Sequence, residues 1–292
     1  MTIQIIAHGG ANNITKEAEK RMHIIQKIVD DVSSSLNGDE SAVDICEAVI
    51  IQLEDNPVFN AGTGSYLQVD GQVRMDAAIM SSHLDLGCVL QISDVKNPIS
   101  VARKLYDSEM HTVLSGLGAR AFAEECGFER HDLQTHKKER DHKHIIEPLD
   151  GDLSYSNVES FYVGENGDSL GTVGCVVRDN EGIIAAGTST GGRRVCFQGR
   201  VSDSGLPGNG TYANRFAGVS CTGVGEKIMR VGMARMVAAY VEAGDALATA
   251  CDKVMDQLKS IYGSGGLIAI SASGEIVSRL NTKHMSVGIF KG

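Results

Sequence analysis

A chain of 292 residues, 42% of them hydrophobic, is long enough to bury one large core or two small ones. A net charge of -10 argues against nucleic acid or an anionic membrane surface as partner, and no run approaches the roughly 18 apolar residues of a membrane span. Seven dispersed cysteines without a C-x-x-C pair fit reduced thiols in a cytoplasmic protein better than a disulfide framework or a zinc site.

The N-terminal run up to His8 reads as a first strand ending in a Gly9-Gly10 turn, not as a signal peptide. Apolar residues at helical spacing predict a helix over Thr15–Leu36. A second helix, capped by Asp39, buries Val43, Cys46, Val49, Ile50 and Leu53 and stops at Asn56-Pro57. Short β-prone runs with glycine breaks predict a hairpin set from Gly62 to Ile92. Two more helices are expected, over Pro98–Ser108 and Val113–Cys126.

From Glu129 to about Asp168 the chain is polar and weakly periodic, as a linker would be. Two β-prone runs, Thr172–Arg178 and Gly182–Ser189, then flank a turn at Asp179–Glu181. Tyr212–Cys221 reads as extended, Glu226–Ala243 and Asp245–Ile261 as helices, and Leu267–Ser271 with Ile276–Asn281 as a closing strand pair. This order of elements predicts an α+β protein, a four-layer αββα sandwich of two antiparallel sheets between helix layers.

Several features that invite a functional reading carry little. Gly116, Gly118 and Ala121 match G-x-G-x-x-A, but no β-α-β context surrounds them, so ordinary helix packing is the reading. No P-loop is present. His131, His136, His142 and His144 fall in the linker and read as solvated, and His8 reads as structural.

The region from Gly171 to Gly225 differs. Gly171–Cys175, Gly187–Gly192, Gly199–Ser204, Gly210–Asn214 and Ser220–Gly225 each set hydroxyl or charged residues among glycines at a strand or loop end. Together with His8–Ala11, Asn56–Gly64, Asp76–Met80, Asn97–Arg103 and Gly265–Ala269, these segments resemble the plant-type asparaginase and isoaspartyl aminopeptidase family of N-terminal-nucleophile hydrolases over nearly the whole chain.

The resemblance implies an Ntn-hydrolase fold in one domain. It also implies self-cleavage of the Gly171–Thr172 bond into an α subunit, 1–171, and a β subunit, 172–292. Once terminal, Thr172 has its own base: an α-amine with pKa about 7.7–8.0 is substantially neutral near pH 7, whereas lysine at about 10.4 is not. Before cleavage, glycine at 171 gives the backbone freedom to enter a strained geometry.

The resemblance further implies that Thr190 orients the nucleophile and that Thr222 and the Gly223 N–H form an oxyanion hole. Arg200 is expected to clamp the substrate α-carboxylate, Asp203 to accept its α-ammonium, and Asn60 to stand in the active site. Main-chain carbonyls of Leu53, Glu54, Asn56, Phe59, Ala61 and Thr63 match a sodium loop, and no organic cofactor is expected. The implied substrates are L-asparagine and β-aspartyl dipeptides, and the implied assembly is a dimer of α–β heterodimers.

Asn12, Ser202, the segment Asn281–Gly288, Arg193-Arg194 and Cys196 depart from the family pattern. A glycosylasparaginase is the competing enzyme, disfavoured by Gly171 before the nucleophile and by the Thr222–Glu226 sequence. An uncleaved binding protein is the non-enzymatic alternative, disfavoured by the intact set of six site residues.

Overall fold

The computed structural model of the protein describes residues 2–13, 17–108, 110–149, 151–158 and 171–292. Along the chain run β1 (Gln4–Asn12), α1 (Ala18–Ser35), α2 (Ala42–Asp55), β2 (Met75–Ser81), β3 (Leu86–Ile92), α3 (Pro98–Tyr106), β4 (Val113–Ser115), α4 (Gly116–Glu125) and α5 (His136–Ile146). After these come β5 (Val173–Arg178), β6 (Ile184–Thr190), β7 (Thr211–Ala213), β8 (Ala217–Gly223), α6 (Gly225–Val231), α7 (Met233–Glu242), α8 (Leu247–Ser260), β9 (Gly265–Ser271), β10 (Ile276–Leu280) and β11 (His284–Lys291).

The strands form two sheets, one of order β11-β1-β5-β6-β2-β3-β4 and one of order β10-β9-β8-β7. Helices α1, α2 and α3 cover the outer face of the large sheet, where Ile25, Val29, Ile45, Val49, Leu53, Ile79 and Ile99 build one core. Helices α7 and α8 cover the small sheet over Val219, Val237, Val254, Leu258 and Leu267. Between the sheets lies a third, thinner core of Ile6, Val176, Ile184, Ala186, Ile268 and Ile270. Helix, sheet, sheet and helix are thus the four layers, because each sheet has an apolar face on both sides. Strands β2, β5, β6 and β9 are buried at every residue, so they do not alternate in polarity along the sequence.

Several boundaries differ from the sequence expectation for identifiable reasons. Ser41, not Asp39, caps α2: its hydroxyl accepts the Asp44 N–H, and the Asp44 carboxylate accepts the Ser41 N–H in return. The described part of the first helix starts at Ala18, and an earlier start at Thr15 falls outside the described residues. Val113–Ser115 is not helical but pairs with β3, making one parallel pair in a sheet expected to be wholly antiparallel. The expected helix Glu226–Ala243 is two helices broken at Gly232, whose φ of 65° is left-handed and ends α6. Tyr212–Cys221 is a hairpin rather than one strand, turned where the Asn214 side chain accepts the Phe216 and Ala217 N–H groups.

Two elements were not expected at all. Strand β11 pairs antiparallel with β1 at the edge of the large sheet, so the β9–β10 pair does not close the fold. Helix α5 lies in the stretch expected to be linker, capped by Thr135, whose hydroxyl accepts the Lys138 N–H. It is not merely solvated: the Lys138 ammonium sits 3.6 Å from the centre of the Tyr66 ring, and His142 Nε2 donates to the Gln68 carbonyl at 3.0 Å. Burial lowers the Lys138 pKa to about 8. Residues 159–168 of the expected linker lie outside the described residues. Among the described residues no helix is long and apolar enough to cross a membrane.

Candidate active site

The register of the central hairpin builds the site. Val173 in β5 faces Ser189 in β6, so the preceding Thr172 comes beside Thr190 at the end of the pair. The Thr172 hydroxyl donates to Thr190 Oγ1 at 3.0 Å, and the Gly192 N–H donates to the same oxygen at 3.2 Å. Two donors on one hydroxyl fix the direction of the Thr172 side chain, which is 8% exposed and faces a small polar cleft.

Asn60, in the loop after α2, holds the bond before Thr172. Its N–H donates to the Gly171 carbonyl at 3.1 Å, its side chain donates to the Gly192 carbonyl at 2.7 Å, and its Oδ1 accepts the Tyr66 N–H at 2.9 Å. The need for glycine at 171 differs from the expected one. Its backbone is not left-handed, but a Cβ there would lie 2.8 Å from the Asn60 Cβ, so space rather than strain requires glycine.

The opposing sheet supplies Thr222 and Gly223 at the end of β8. Thr222 is fully buried, and its Oγ1 accepts the Ala11 N–H at 3.2 Å across the gap between the sheets. With a lone pair committed to that bond, the hydroxyl proton is left to donate elsewhere. Gly223 lines the cleft.

Arg200 and Asp203 sit in the loop between β6 and β7, and their heads converge. A Cβ at Gly225 would lie 2.6 Å from Asp203 Oδ1 and 3.0 Å from Arg200 Nη2. Arg200 donates Nε–H to Glu226 Oε1 at 3.0 Å, which leaves both Nη groups for a ligand. Asp203 is 4% exposed, yet its Oδ2 has no hydrogen-bond partner. Burial raises its pKa to about 7 against the opposing pull of Arg200. A buried carboxylate oxygen without a donor, beside a guanidinium, is complementary to an ammonium and a carboxylate carried on one small molecule.

The loop itself is tethered by residues that sequence reading did not single out for a role. The Asp76 carboxylate accepts the Ser202 N–H at 2.6 Å and the Gln91 N–H at 2.7 Å. Gln91 in turn donates to the Arg200 carbonyl at 2.7 Å and accepts the Gly199 N–H at 3.0 Å. Ser202, one of the departures from the family pattern, is buried in that network. Glu226, noted in the sequence only as a branch difference, is the partner of Arg200. A motif shows residue types in order, and these partners are set by the tertiary fold.

His8 is structural, as its position before two glycines suggests. It is fully buried, its Nε2 lies 3.0 Å from Ser220 Oγ, and its Nδ1 accepts the Gly10 N–H at 3.3 Å. Burial drives its pKa down to about 3, so the ring is neutral.

The residues of the expected sodium loop run from the last turn of α2, which holds Leu53 and Glu54, through the loop that follows it to Thr63. Leu53, Asn56 and Ala61 each give their carbonyl to a backbone N–H at 3.1–3.3 Å, which leaves a second lone pair on each oxygen. The turn is tight: a Cβ at Gly64 would overlap the Phe59 carbonyl, and one at Gly62 would lie 2.4 Å from that of Glu54. Among the described residues no group of three or more His, Cys, Asp or Glu side chains is placed to hold a metal.

The family model described as Asparaginase matches residues 1–292. Plant-type L-asparaginase of Thermococcus kodakarensis is 40% identical, with 98% of this chain and 96% of the relative covered. Isoaspartyl peptidase/L-asparaginase of Xenopus laevis is 36% identical, with 97% of this chain and 90% of the relative covered. The protein of that same name from Mus musculus is 34% identical, with 98% and 87% covered. By the match over its whole length and by these relatives, the chain belongs to the asparaginase family.

Proposed function

We propose that this chain is an amidohydrolase that cleaves its own Gly171–Thr172 bond and then uses the freed Thr172 to hydrolyse L-asparagine and β-aspartyl dipeptides. The observation that carries the reading is the Thr172–Thr190 hydroxyl pair, 3.0 Å apart, opening on the cleft that Arg200 and Asp203 also line. The Asparaginase match and the relatives named as asparaginases and isoaspartyl peptidases support the substrates.

In the unbroken chain the Gly171 carbonyl oxygen accepts the Asn60 N–H, which favours negative charge on that oxygen as the Thr172 hydroxyl attacks the carbonyl carbon. An N→O acyl shift and hydrolysis of the ester then release the Thr172 amine. In turnover that amine takes the hydroxyl proton while Oγ1 attacks the side-chain carbonyl of the substrate. Thr222 and the Gly223 N–H stabilise the oxyanion, and the amine passes its proton to the leaving nitrogen. Water then releases aspartate from the threonyl ester.

In this reading the carbonyls of Leu53, Glu54, Asn56, Phe59, Ala61 and Thr63 hold a sodium ion that stiffens the loop bearing Asn60. Resemblance to the family is the ground for proposing two associated α–β heterodimers.

The reading has a kinetic test. Processed enzyme is expected to hydrolyse both L-asparagine and β-Asp-Leu, with kcat/KM higher for the dipeptide, and to act poorly on glycosylasparagine. Faster cleavage of glycosylasparagine than of β-Asp-Leu would reverse the assignment. The pH profile gives a second check. Asp203 must be ionised to bind the ammonium, and burial has raised its pKa to about 7, while the Thr172 amine must be neutral with a pKa of about 7.7–8.0. Both conditions fail as pH falls. Log kcat/KM is therefore expected to rise with pH, with a slope approaching two below pH about 7 and a plateau above about 8. A slope of one throughout the acid limb would mean that only one of the two groups matters.

A further inference from the structure

Resting on the function proposed above, we infer that Gln91 is a positioning residue of the Arg200 clamp. Its side-chain amide holds the main chain at Gly199 and Arg200, and so sets how tightly a substrate is bound through its α-carboxylate.

Gln91 has a backbone that a glutamine rarely adopts. Its φ of 51° is left-handed although it lies within β3. The register of β2 with β3 shifts here: Met75 faces Ile92 and Ala77 faces Val89, so β3 spends one residue more than β2. Such a bulge re-aims a side chain, and a left-handed non-glycine residue persists only where its surroundings hold it. The contacts that hold Gln91 lead to the Arg200 loop. Asp76 bridges the two main chains, accepting the Gln91 N–H at 2.7 Å and the Ser202 N–H at 2.6 Å. The Gln91 side chain then donates Nε2–H to the Arg200 carbonyl at 2.7 Å and accepts the Gly199 N–H at 3.0 Å.

The orientation of that amide follows from its neighbours. Arg74 donates Nη1–H to Gln68 Oε1 at 2.7 Å, and a guanidinium can only donate. Gln68 therefore presents its Nε2 to Gln91 Oε1, at 3.2 Å, and Gln91 presents its own Nε2 to the Arg200 carbonyl. A chain of donors with one direction thus ends on the residue that reads the carboxylate. At the other end of Arg200, Glu226 Oε1 accepts the Nε–H at 3.0 Å. The main chain and the head are held separately, and between them they aim the Nη groups. A Cβ at the cleft residue Gly192 would lie 3.6 Å from Arg200 Nη1, which places the guanidinium at the cleft wall.

Two substitutions test the role. Gln91→Ala deletes the amide and keeps a Cβ on a left-handed backbone, whereas Gln91→Gly deletes the amide and suits that backbone. Freed from two hydrogen bonds, the loop spends less time with Arg200 in place. KM for L-asparagine is therefore expected to rise about tenfold in both variants, with kcat within about threefold of the parent. The glycine variant should have the higher Tm of the two, so equal KM values at unequal Tm separate the clamp from stability. Self-cleavage needs no α-carboxylate and should keep the parental rate in both. KM within about twofold of the parent in both variants would overturn the inference, as would a loss confined to kcat. A KM raised in Gln91→Ala and restored in Gln91→Gly would also overturn it, since backbone conformation and not the amide would then set binding. Each of these results leaves the proposed function standing if the processed parent hydrolyses L-asparagine. A processed parent that hydrolyses neither L-asparagine nor β-Asp-Leu overturns both.

Discussion

Thr172→Ala is expected to remain a single chain and to lose at least about 10⁴-fold in turnover on L-asparagine and β-Asp-Leu, because one hydroxyl serves both reactions. The substitution removes the oxygen that lies 3.0 Å from Thr190 Oγ1 and leaves the backbone of β5 as it is. Stability should hardly change, since among the described residues the Thr172 side chain makes one hydrogen bond, to Thr190, and it faces the cleft. Thr172→Ser separates geometry from chemistry. It keeps the oxygen and deletes a methyl group, so it should still cleave itself and turn over, more slowly than the parent. An alanine variant that appears as two chains would show that another residue attacks the Gly171 carbonyl.

Thr222→Val should lower kcat by about 10²–10³ with the fold retained. The valine keeps the shape and removes the hydroxyl that the proposed mechanism directs at the oxyanion. It also leaves the buried Ala11 N–H without the acceptor that Thr222 Oγ1 supplies at 3.2 Å. That second loss is a stability effect of about 1–3 kcal/mol and would appear in the melting temperature. Thr222→Ser restores both functions and should recover most of the activity and the stability. Self-cleavage, whose oxyanion faces the Asn60 N–H, should be affected less than turnover by this substitution. Turnover equal to that of the parent would mean that Thr222 serves only to join the two sheets.

Much of the scaffold was legible because its helices are amphipathic. In α2 the residues at helical spacing, Val43, Cys46, Val49, Ile50 and Leu53, are all buried, and Ala42, Ile45 and Glu54 join them. Strand β11 was missed although Met285, Val287 and Ile289 alternate with Ser286 and Gly288: it is a sheet edge in which only Ser286 and Gly288 are fully buried, so its short alternation rests on partly exposed side chains. Helix α5 was hidden for a related reason: it has no buried residue by overall exposure, and its contacts are a lysine over Tyr66 and a histidine on a carbonyl. The closely packed inner strands carried their signal in turn residues and not in alternation, which is why their ends were placed well and their sheet order was not.

The site divides in the same way. Thr172, Thr190, Arg200, Asp203 and Gly223 sit in glycine-flanked segments and meet around one cleft. Asp76, Gln91 and Glu226, which hold the Arg200 loop, come from 126, 109 and 26 positions away from the groups they bind, and no local pattern links them. Arg193 and Arg194 stood out only as a departure from the family, without an indication that Arg193 would share a carboxylate with Arg200.

The most direct measurement is the intact mass and N-terminal sequence of freshly purified protein after incubation near pH 8. Two chains are expected, the smaller beginning at Thr172 with Val173, Gly174 and Cys175 following. A single chain of 31.0 kDa that persists on long incubation while the protein hydrolyses β-Asp-Leu would contradict the account, since the free amine of Thr172 would then not be the base.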